Sequence, residues 1–274
     1  MRPDVSVIMP AYRATATIAR AIQSVLAQKG VAAELVLCAD DDLDYAAILP
    51  ADLCAPDRLT LCRTPAPRSG PSLARNIATR QARADIIACL DADDAYAPDR
   101  LRLLLPLAEK HGVATGPTLE IDPRTRATRT ARPRLGGPFL PIEDICELRM
   151  PFSPVYQKAR CLAGWSPVDF AEDVILNVDL YCACGAYPYV EGAAYVYHLS
   201  DGSRSHSAQA LQRARAGYLQ ILDLVDKRDW PQPVRELVRR VFTADLAAVE
   251  RAQSSRDGEA TWRAIVRDGS ADDR

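Results

Sequence analysis

IIACLDADD, residues 86–94, is a short run of apolar side chains that stops abruptly in acid. Five consecutive apolar residues with no alternation fit a strand covered on both faces. The carboxylates of Asp91, Asp93 and Asp94 then stand at that strand's carboxyl end. Two earlier segments share the design. VSVIM (5–9) is a buried-strand run closed by Pro10, and ELVLCA (34–39) runs straight into Asp40-Asp41-Asp42. Between them, Thr15 or Thr17 can cap a helix that places Ile18, Ile22, Val25 and Leu26 on one face, completing a βαβ unit.

Working outward, Leu59 to Cys62 predicts a short strand and Ser72 the cap of a helix reaching Ala84. Pro98 suits the first turn of a helix with Leu101, Leu104 and Leu105 as its apolar stripe. Strands alternating with helices over residues 1–115 predict an open, mostly parallel α/β sheet with flanking helices. Such sheets bind ligands beyond their strands' carboxyl ends. From Ile121 to Arg134 periodicity vanishes and Arg124, Arg126, Arg129, Arg132 and Arg134 crowd the segment. It reads as a solvated connection or as a flap over an anionic ligand.

Farther on, Pro154 to Arg160 predicts an edge strand, Gly164-Trp165 a turn, Glu172 to Tyr181 a helix and Val190 to His198 a strand. Asp201-Gly202-Ser203 reads as a turn. Ala208 to Val225 and Val234 to Arg251 carry helical apolar spacing, and the last twenty residues are polar. The expected organisation is one α/β domain over residues 1–206 and a C-terminal helical extension over 207–274.

With 274 residues, 48% of them hydrophobic, the chain can bury one substantial core without metals or disulfides. The eight cysteines are scattered with no C-x-x-C pair, and read as reduced core residues. A formal net charge of −2 gives no basic field, so nucleic acid is not an expected partner. There are 30 arginines against four lysines, a compositional bias that weakens any argument from a single arginine. No apolar run spans a bilayer and the first residues lack a secretory leader pattern, which predicts a cytoplasmic protein.

Three carboxylates in four residues repel one another, so a fold keeps them at a crevice when a cation neutralises them. Mg²⁺ or Mn²⁺ is the natural candidate, sharing one or two carboxylates with phosphate oxygens and water. The bland alternative is an acidic turn in which Asp94 caps the next helix.

VSVIMPAY (5–12), ELVLCADDD (34–42), GPSLARNIATRQARADIIACLDADDAYAPDRL (70–101) and AEDVIL (171–176) resemble, in order, the motifs of nucleotide-sugar-dependent glycosyltransferases of family 2. The resemblance implies a GT-A fold and inverting transfer of a sugar, from a UDP-sugar, to an acceptor hydroxyl in polysaccharide or glycoconjugate biosynthesis. It implies that Pro10 and Tyr12 wall the nucleoside pocket, that Asp40 contacts the base or ribose, and that Arg75 approaches the diphosphate. Asp91 and Asp93 match the D-x-D of the metal and ribose contacts, work that Asp94 can share, and Asp173 matches the catalytic base. His198 lies where relatives complete the metal shell or close on the diphosphate, as does Ser203-Arg204-Ser205; the alternative is an ordinary surface histidine. Trp165 lies beside the implied acceptor, with core packing the alternative.

Two departures stand out. Ala39-Asp40-Asp41-Asp42 replaces the usual two acids, glycine and serine, and Asp179 stands where many relatives carry arginine. The implied acceptor is a saccharide or a lipid-linked saccharide. Arg235, Arg239 and Arg240 on the C-terminal helices suit peripheral membrane contact, while packing or oligomerisation are alternatives for those helices.

Three rivals remain. An aspartyl phosphatase also places D-x-D after a strand, but expects Thr or Val where this chain has Ala95. A nucleotidyltransferase needs a glycine-rich loop that Pro10-Ala11-Tyr12-Arg13 does not offer. A catalytically degenerate nucleotide-sugar-binding or scaffold protein of the same fold is the third.

Overall fold

The computed structural model describes residues 2–53, 57–122, 124–131, 133, 137–148, 152–199 and 209–254. In chain order the first elements are β1 (Val5–Ala11), α1 (Ile18–Leu26), β2 (Ala33–Ala39), α2 (Tyr45–Ile48), β3 (Leu59–Arg63), α3 (Pro71–Gln81) and β4 (Ile86–Cys89). Then come β5 (Ala95–Tyr96), α4 (Arg100–His111), β6 (Val113–Ala114), β7 (Thr118–Ile121), β8 (Thr128–Ala131) and α5 (Ile142–Glu147). The last are β9 (Val155–Gln157), α6 (Glu172–Cys184), β10 (Tyr195–His198), α7 (Ala210–Val225) and α8 (Gln232–Ser254).

Six strands form the central sheet in the order β3-β2-β1-β4-β9-β6. β1 runs parallel to β2 and β4, and β2 to β3, as the buried apolar runs predict. Both faces are covered. Ile8, Val36, Cys38 and Ile87 point into the core shared with α3, α6, α7 and α8. Val7, Met9, Leu35 and Ala88 point the other way, toward α1 and α4.

Several boundaries differ from the sequence reading. β1 continues through Pro10 because β4 pairs with it only from Ser6 to Ile8, leaving an open side where a residue without an N–H is tolerated. Ser72 does not cap α3: Gly70 holds the N-cap position, Pro71 opens the helix, and the Ser72 hydroxyl is buried without a partner among the described residues. Thr17 is at the N-cap of α1, but its hydroxyl donates to the Ala14 carbonyl instead of capping. α4 begins at Arg100, with Asp99 rather than Asp94 at its N-cap. β9 is interior, antiparallel to β4 and β6, rather than an edge strand.

The arginine-rich stretch also departs from the expected loop. β7 and β8 pair antiparallel from Thr118↔Ala131 to Ile121↔Thr128, and the turn is set by Asp122, whose carboxylate accepts from the N–H groups of Arg124 (2.8 Å) and Thr125 (3.3 Å). Glu120 sits opposite Arg129 in that ladder, and Asp122 lies 3.9 Å from Arg124, so the hairpin carries its own counter-charges. Arg132 and Arg134 lie outside the described residues.

A second, four-stranded sheet has the order β5-β10-β7-β8. β10 is parallel to β7 and antiparallel to β5. The acidic loop before β5, the end of β10 at His198 and the β7–β8 turn therefore share one rim.

α7 and α8 do not stand apart. Tyr218, Ile221, Trp230, Val238 and Phe242 belong to the same core as Ile175 and Leu176 of α6. Gly217 allows the closest approach, since a Cβ there would meet the Phe170 backbone nitrogen at 2.6 Å. The expected boundary at 206/207 and the Asp201-Gly202-Ser203 turn lie outside the described residues. Arg239 pairs with Asp226 at 2.5 Å and Arg240 with Glu147 at 3.0 Å, so two of the three arginines singled out on this extension have partners within the chain. Among the described residues no helix is long and apolar enough to cross a membrane.

Candidate active site

The carboxyl ends of β1, β2 and β4, the end of β10 and the start of α6 bring the singled-out residues to one rim. Just past Pro10, Tyr12 is half-exposed; its hydroxyl accepts from Arg68 Nε at 2.8 Å, and the Arg13 guanidinium lies 5.2 Å from its ring centroid. Asp40 is buried, with both oxygens engaged: it accepts from Thr64 Oγ1 (2.8 Å), Ser69 N–H (2.8 Å) and Gly70 N–H (2.9 Å). The carboxylate expected at the base or ribose therefore anchors the loop that launches α3. Asp41 accepts from the hydroxyl of Tyr45 at 3.1 Å and the N–H of Leu43 at 3.2 Å. These contacts tie the acids after β2 into local structure.

Arg75, one turn into α3, is buried beneath the rim. It donates to Asp91 Oδ1 at 2.7 Å and to Glu172 Oε1 at 3.1 Å, while its guanidinium lies 4.3 Å from the Trp165 ring centroid. The cation expected at a diphosphate is thus engaged in joining the D-x-D loop to α6. Trp165 is buried, and its backbone N–H and carbonyl are both held by the Asn76 amide, at 2.8 and 2.9 Å. Its indole packs against Arg75 instead of presenting a face to a sugar. The preceding Gly164 has φ +65°, with Asn76 Oδ1 only 2.7 Å from where a Cβ would stand, so this turn requires glycine.

The three acids of the loop divide. Asp91 is held by Arg75. Burial and the neighbouring Asp91 charge push the Asp93 carboxyl up to about 6. Asp94 is almost fully buried; one oxygen accepts from the Tyr195 hydroxyl at 2.7 Å and the other from the His198 N–H at 2.9 Å. Its carboxyl is pushed well up, first by burial and then by Asp93 and Asp91. His198 Nδ1 is buried with no partner among the described residues. Burial and then the Arg20 charge push its pKa down, with a backbone hydrogen bond to Val196 acting against them.

Asp173 sits in the first turn of α6, where burial and then the adjacent Glu172 charge push its carboxyl up to about 6. The residue before the helix, Ala171, adopts a left-handed φ of 61°. That is a conformation L-residues other than glycine seldom hold, and such strain gathers at functional sites.

Sequence reasoning passed over three groups here. Arg20 reaches from α1 to donate to the Asp93 carbonyl. Glu172 is the second carboxylate on Arg75, and Tyr195 bonds both ends of the acidic loop. Glu172 and Tyr195 had a local signal, the one beside Asp173 and the other in the same strand as His198; arginine is too common in this chain for Arg20 to stand out. Ser203-Arg204-Ser205 lies outside the described residues.

A divalent cation suits this rim. Among the described residues Asp93 has no bonded cation of its own, and Nδ1 of His198 is left unpaired nearby. No group of three or more His, Cys, Asp or Glu side chains forms a ready metal cage among the described residues. Oxygens of a bound ligand and water would complete the shell, which is how Mg²⁺ and Mn²⁺ are commonly held. The seven described cysteines are free.

The family model described as glycosyl transferase family 2 matches residues 6–160. The succinoglycan biosynthesis protein ExoO of Rhizobium meliloti is 32% identical over 221 residues, covering 74% of this chain and 63% of the relative. The Escherichia coli UDP-Glc:alpha-D-GlcNAc-diphosphoundecaprenol beta-1,3-glucosyltransferase WfgD is 34% identical over 110 residues, 40% of this chain and 43% of the relative. The chain thus spans less than two thirds of the length of either relative. Among solved structures, Staphylococcus aureus TarS 1-349 with UDP-GlcNAc superposes with a TM-score of 0.70 at 16% identity, covering 94% of this chain and 78% of that one. The mannosyltransferase PcManGT of Pyrobaculum calidifontis, with GDP-Man and Mn²⁺, gives 0.63 at 18% identity, covering 98% and 77%. The ordered motifs, the parallel sheet ending in acids and the matched family model lead to one assignment: the chain belongs to glycosyl transferase family 2 and has the GT-A fold.

Proposed function

We propose that this chain is an inverting glycosyltransferase that moves a sugar from a nucleoside-diphosphate sugar, a UDP-sugar, to the hydroxyl of a saccharide or lipid-linked acceptor in polysaccharide or glycoconjugate biosynthesis. One observation carries the reading. Arg75 bonds at once to Asp91 and to Glu172, residues 16 and 97 positions away, so the D-x-D loop and the start of α6 stand side by side at one rim. The pathway rests on likeness to a succinoglycan biosynthesis protein, and the donor class on relatives and neighbours that use or bind UDP-Glc, UDP-GlcNAc or GDP-Man.

In this reading Asp173 removes the proton of the acceptor hydroxyl as its oxygen attacks the anomeric carbon. A pKa near 6 keeps the carboxylate ionised at neutral pH yet basic enough to take a proton. Asp93 and His198 would hold the divalent cation, whose role when bound is to stabilise the charge of the departing diphosphate. Tyr12, with Pro10 beside it, offers an aromatic wall to the nucleobase, and Arg68 and Arg13 hold the ring in place. Arg75 keeps Asp91 and Glu172 from repelling each other at that rim.

The test is thermal stabilisation by a panel of nucleotides and nucleotide sugars, with and without Mn²⁺. A UDP-sugar should stabilise the protein only with metal, and Asp93→Ala should abolish that increment. Stabilisation of Asp93→Ala equal to the parent's would remove Asp93 from the metal site, and preference for GDP-sugars would replace the donor. Slow donor hydrolysis in the presence of Mn²⁺ would separate a transferase from a binding protein of the same fold.

A further inference from the structure

Arg100, the first residue of α4, heads the fully buried side chains by size, and no carboxylate pairs with its guanidinium among the described residues. Burying a lone cation is costly, so the surroundings must compensate. Its two terminal nitrogens donate to the carbonyls of Ala193 and Ser153. Its charge lies 5.3 Å from the Tyr96 ring centroid and 5.6 Å from that of Tyr195, an arrangement in which the ring faces attract the cation. The two rings meet edge to face at 6.0 Å. α4 thereby fixes two tyrosines whose hydroxyls lead to different places.

The Tyr96 hydroxyl donates to the Cys89 carbonyl at 2.7 Å, at the end of β4. The Tyr195 hydroxyl reaches the acidic loop. It accepts from the Asp91 N–H at 3.2 Å and donates to Asp94 Oδ2 at 2.7 Å, gripping the first and last acids together. The other Asp94 oxygen accepts from the His198 N–H at 2.9 Å, so the loop is joined to the end of β10. Both Asp94 oxygens are spent in this way, although the residue lies next to Asp93.

We propose that Tyr195, seated on the buried Arg100, and Asp94, which Tyr195 bonds, are positioning residues that clamp the 91–94 loop to the end of β10, so that Asp93 and His198 face a shared cation before it arrives. Three neighbouring carboxylates would otherwise splay to relieve their repulsion. The inference rests on the metal-dependent donor reading above and adds to it the groups that pre-form the site. Asp94 is then not a metal ligand.

The experiment compares two substitutions that both keep their rings on Arg100. Tyr195→Phe removes the hydroxyl that grips the loop, and Tyr96→Phe removes one that does not. The readouts are the Mn²⁺ concentration that half-saturates nucleotide binding, measured by calorimetry with UDP or GDP, whichever the parent chain binds, and the thermal midpoint. Tyr195→Phe should raise the half-saturating Mn²⁺ about tenfold, and Tyr96→Phe should leave it within about twofold. Asp94→Asn, which keeps an acceptor for the His198 N–H, should raise it about threefold. Unchanged Mn²⁺ dependence in Tyr195→Phe, equal losses in both tyrosine variants, or loss in Tyr195→Phe only in proportion to a fall in thermal midpoint would overturn the clamp. Nucleotide binding by the parent chain that ignores Mn²⁺ would overturn the metal reading itself, and the clamp with it.

Discussion

Asp173 and Asp179 lie on the same helix, both largely withdrawn from water, and their surroundings give them opposite roles. Asp179, toward the carboxyl end of α6, accepts from Trp230 Nε1 at 2.7 Å and lies 3.2 Å from Arg228. Burial pushes its carboxyl up, and Arg228 and Trp230 pull back against that. Arg228 also donates to Ser166 at 2.6 Å, so this end of α6 is bound to the turn between α7 and α8 and to the segment before the helix. Among the described residues Asp173 has no bonded cation of its own; Glu172 beside it has taken Arg75, and a strained Ala171 leads into its turn. A carboxylate matched with partners is structural, and one held buried next to another acid is poised to exchange a proton. The aspartate found where many family members carry arginine thus has a structural partner in the C-terminal helices.

This contrast can be broken from either side. The largest effect should come from Asp173→Asn, with transfer falling about a thousandfold while donor binding stays within about threefold. Normal turnover in a quenched transfer assay would take Asp173 out of the mechanism. The pH profile sharpens the same point. The base works when ionised, as does Asp93 when it holds the cation, and both carboxyls are pushed up to about 6, so the kcat/KM of the parent chain should be flat above about pH 7 and fall between about tenfold and a hundredfold per pH unit below 6. A plateau reaching pH 5 would contradict that assignment. Asp179→Ala should leave the Arg228 charge half-buried and lose Trp230 its acceptor, costing about 2–4 kcal/mol in denaturant unfolding. Turnover per folded molecule should change little. Equal effects of Asp173→Asn and Asp179→Ala on both readouts would erase the distinction. The smallest effect is expected from Ala171→Gly, which relieves the left-handed backbone and should raise stability by about 0.5–1 kcal/mol, or about 1–4 °C in thermal midpoint. A fall in thermal midpoint would show that Ala171 is held there without strain.

The candidate site was legible in the sequence to an uneven degree. Asp91 and Asp93 could be singled out from a short local pattern, a buried strand ending in acid, and Asp173 only through the resemblance to the family, since a helix opening on acid is by itself an ordinary feature. The functions of Arg75, Asp40 and Trp165 could not, because each depends on which groups the fold sets beside it. Arg75 finds its second carboxylate 97 residues away, and Asp40 finds its donors in a loop 24 to 30 residues on. The same contrast runs through the fold. β1, β2 and β4 are apolar runs that announce burial on both faces, whereas β9, β7 and β8 are three or four residues long; β9 is held by the distant β4 and β6, and the β7–β8 hairpin is held through β7 by the distant β10.

The amino-acid order alone determined that parallel strands would end in acids, since hydrophobic periodicity and chain breaks are properties of neighbouring residues. Tertiary structure alone decided which of those acids stay charged, which are neutralised and which become supports. Those outcomes depend on desolvation and on cations and hydroxyls carried in from distant segments, and such interactions fall off over a few ångströms of space regardless of how many residues separate the partners.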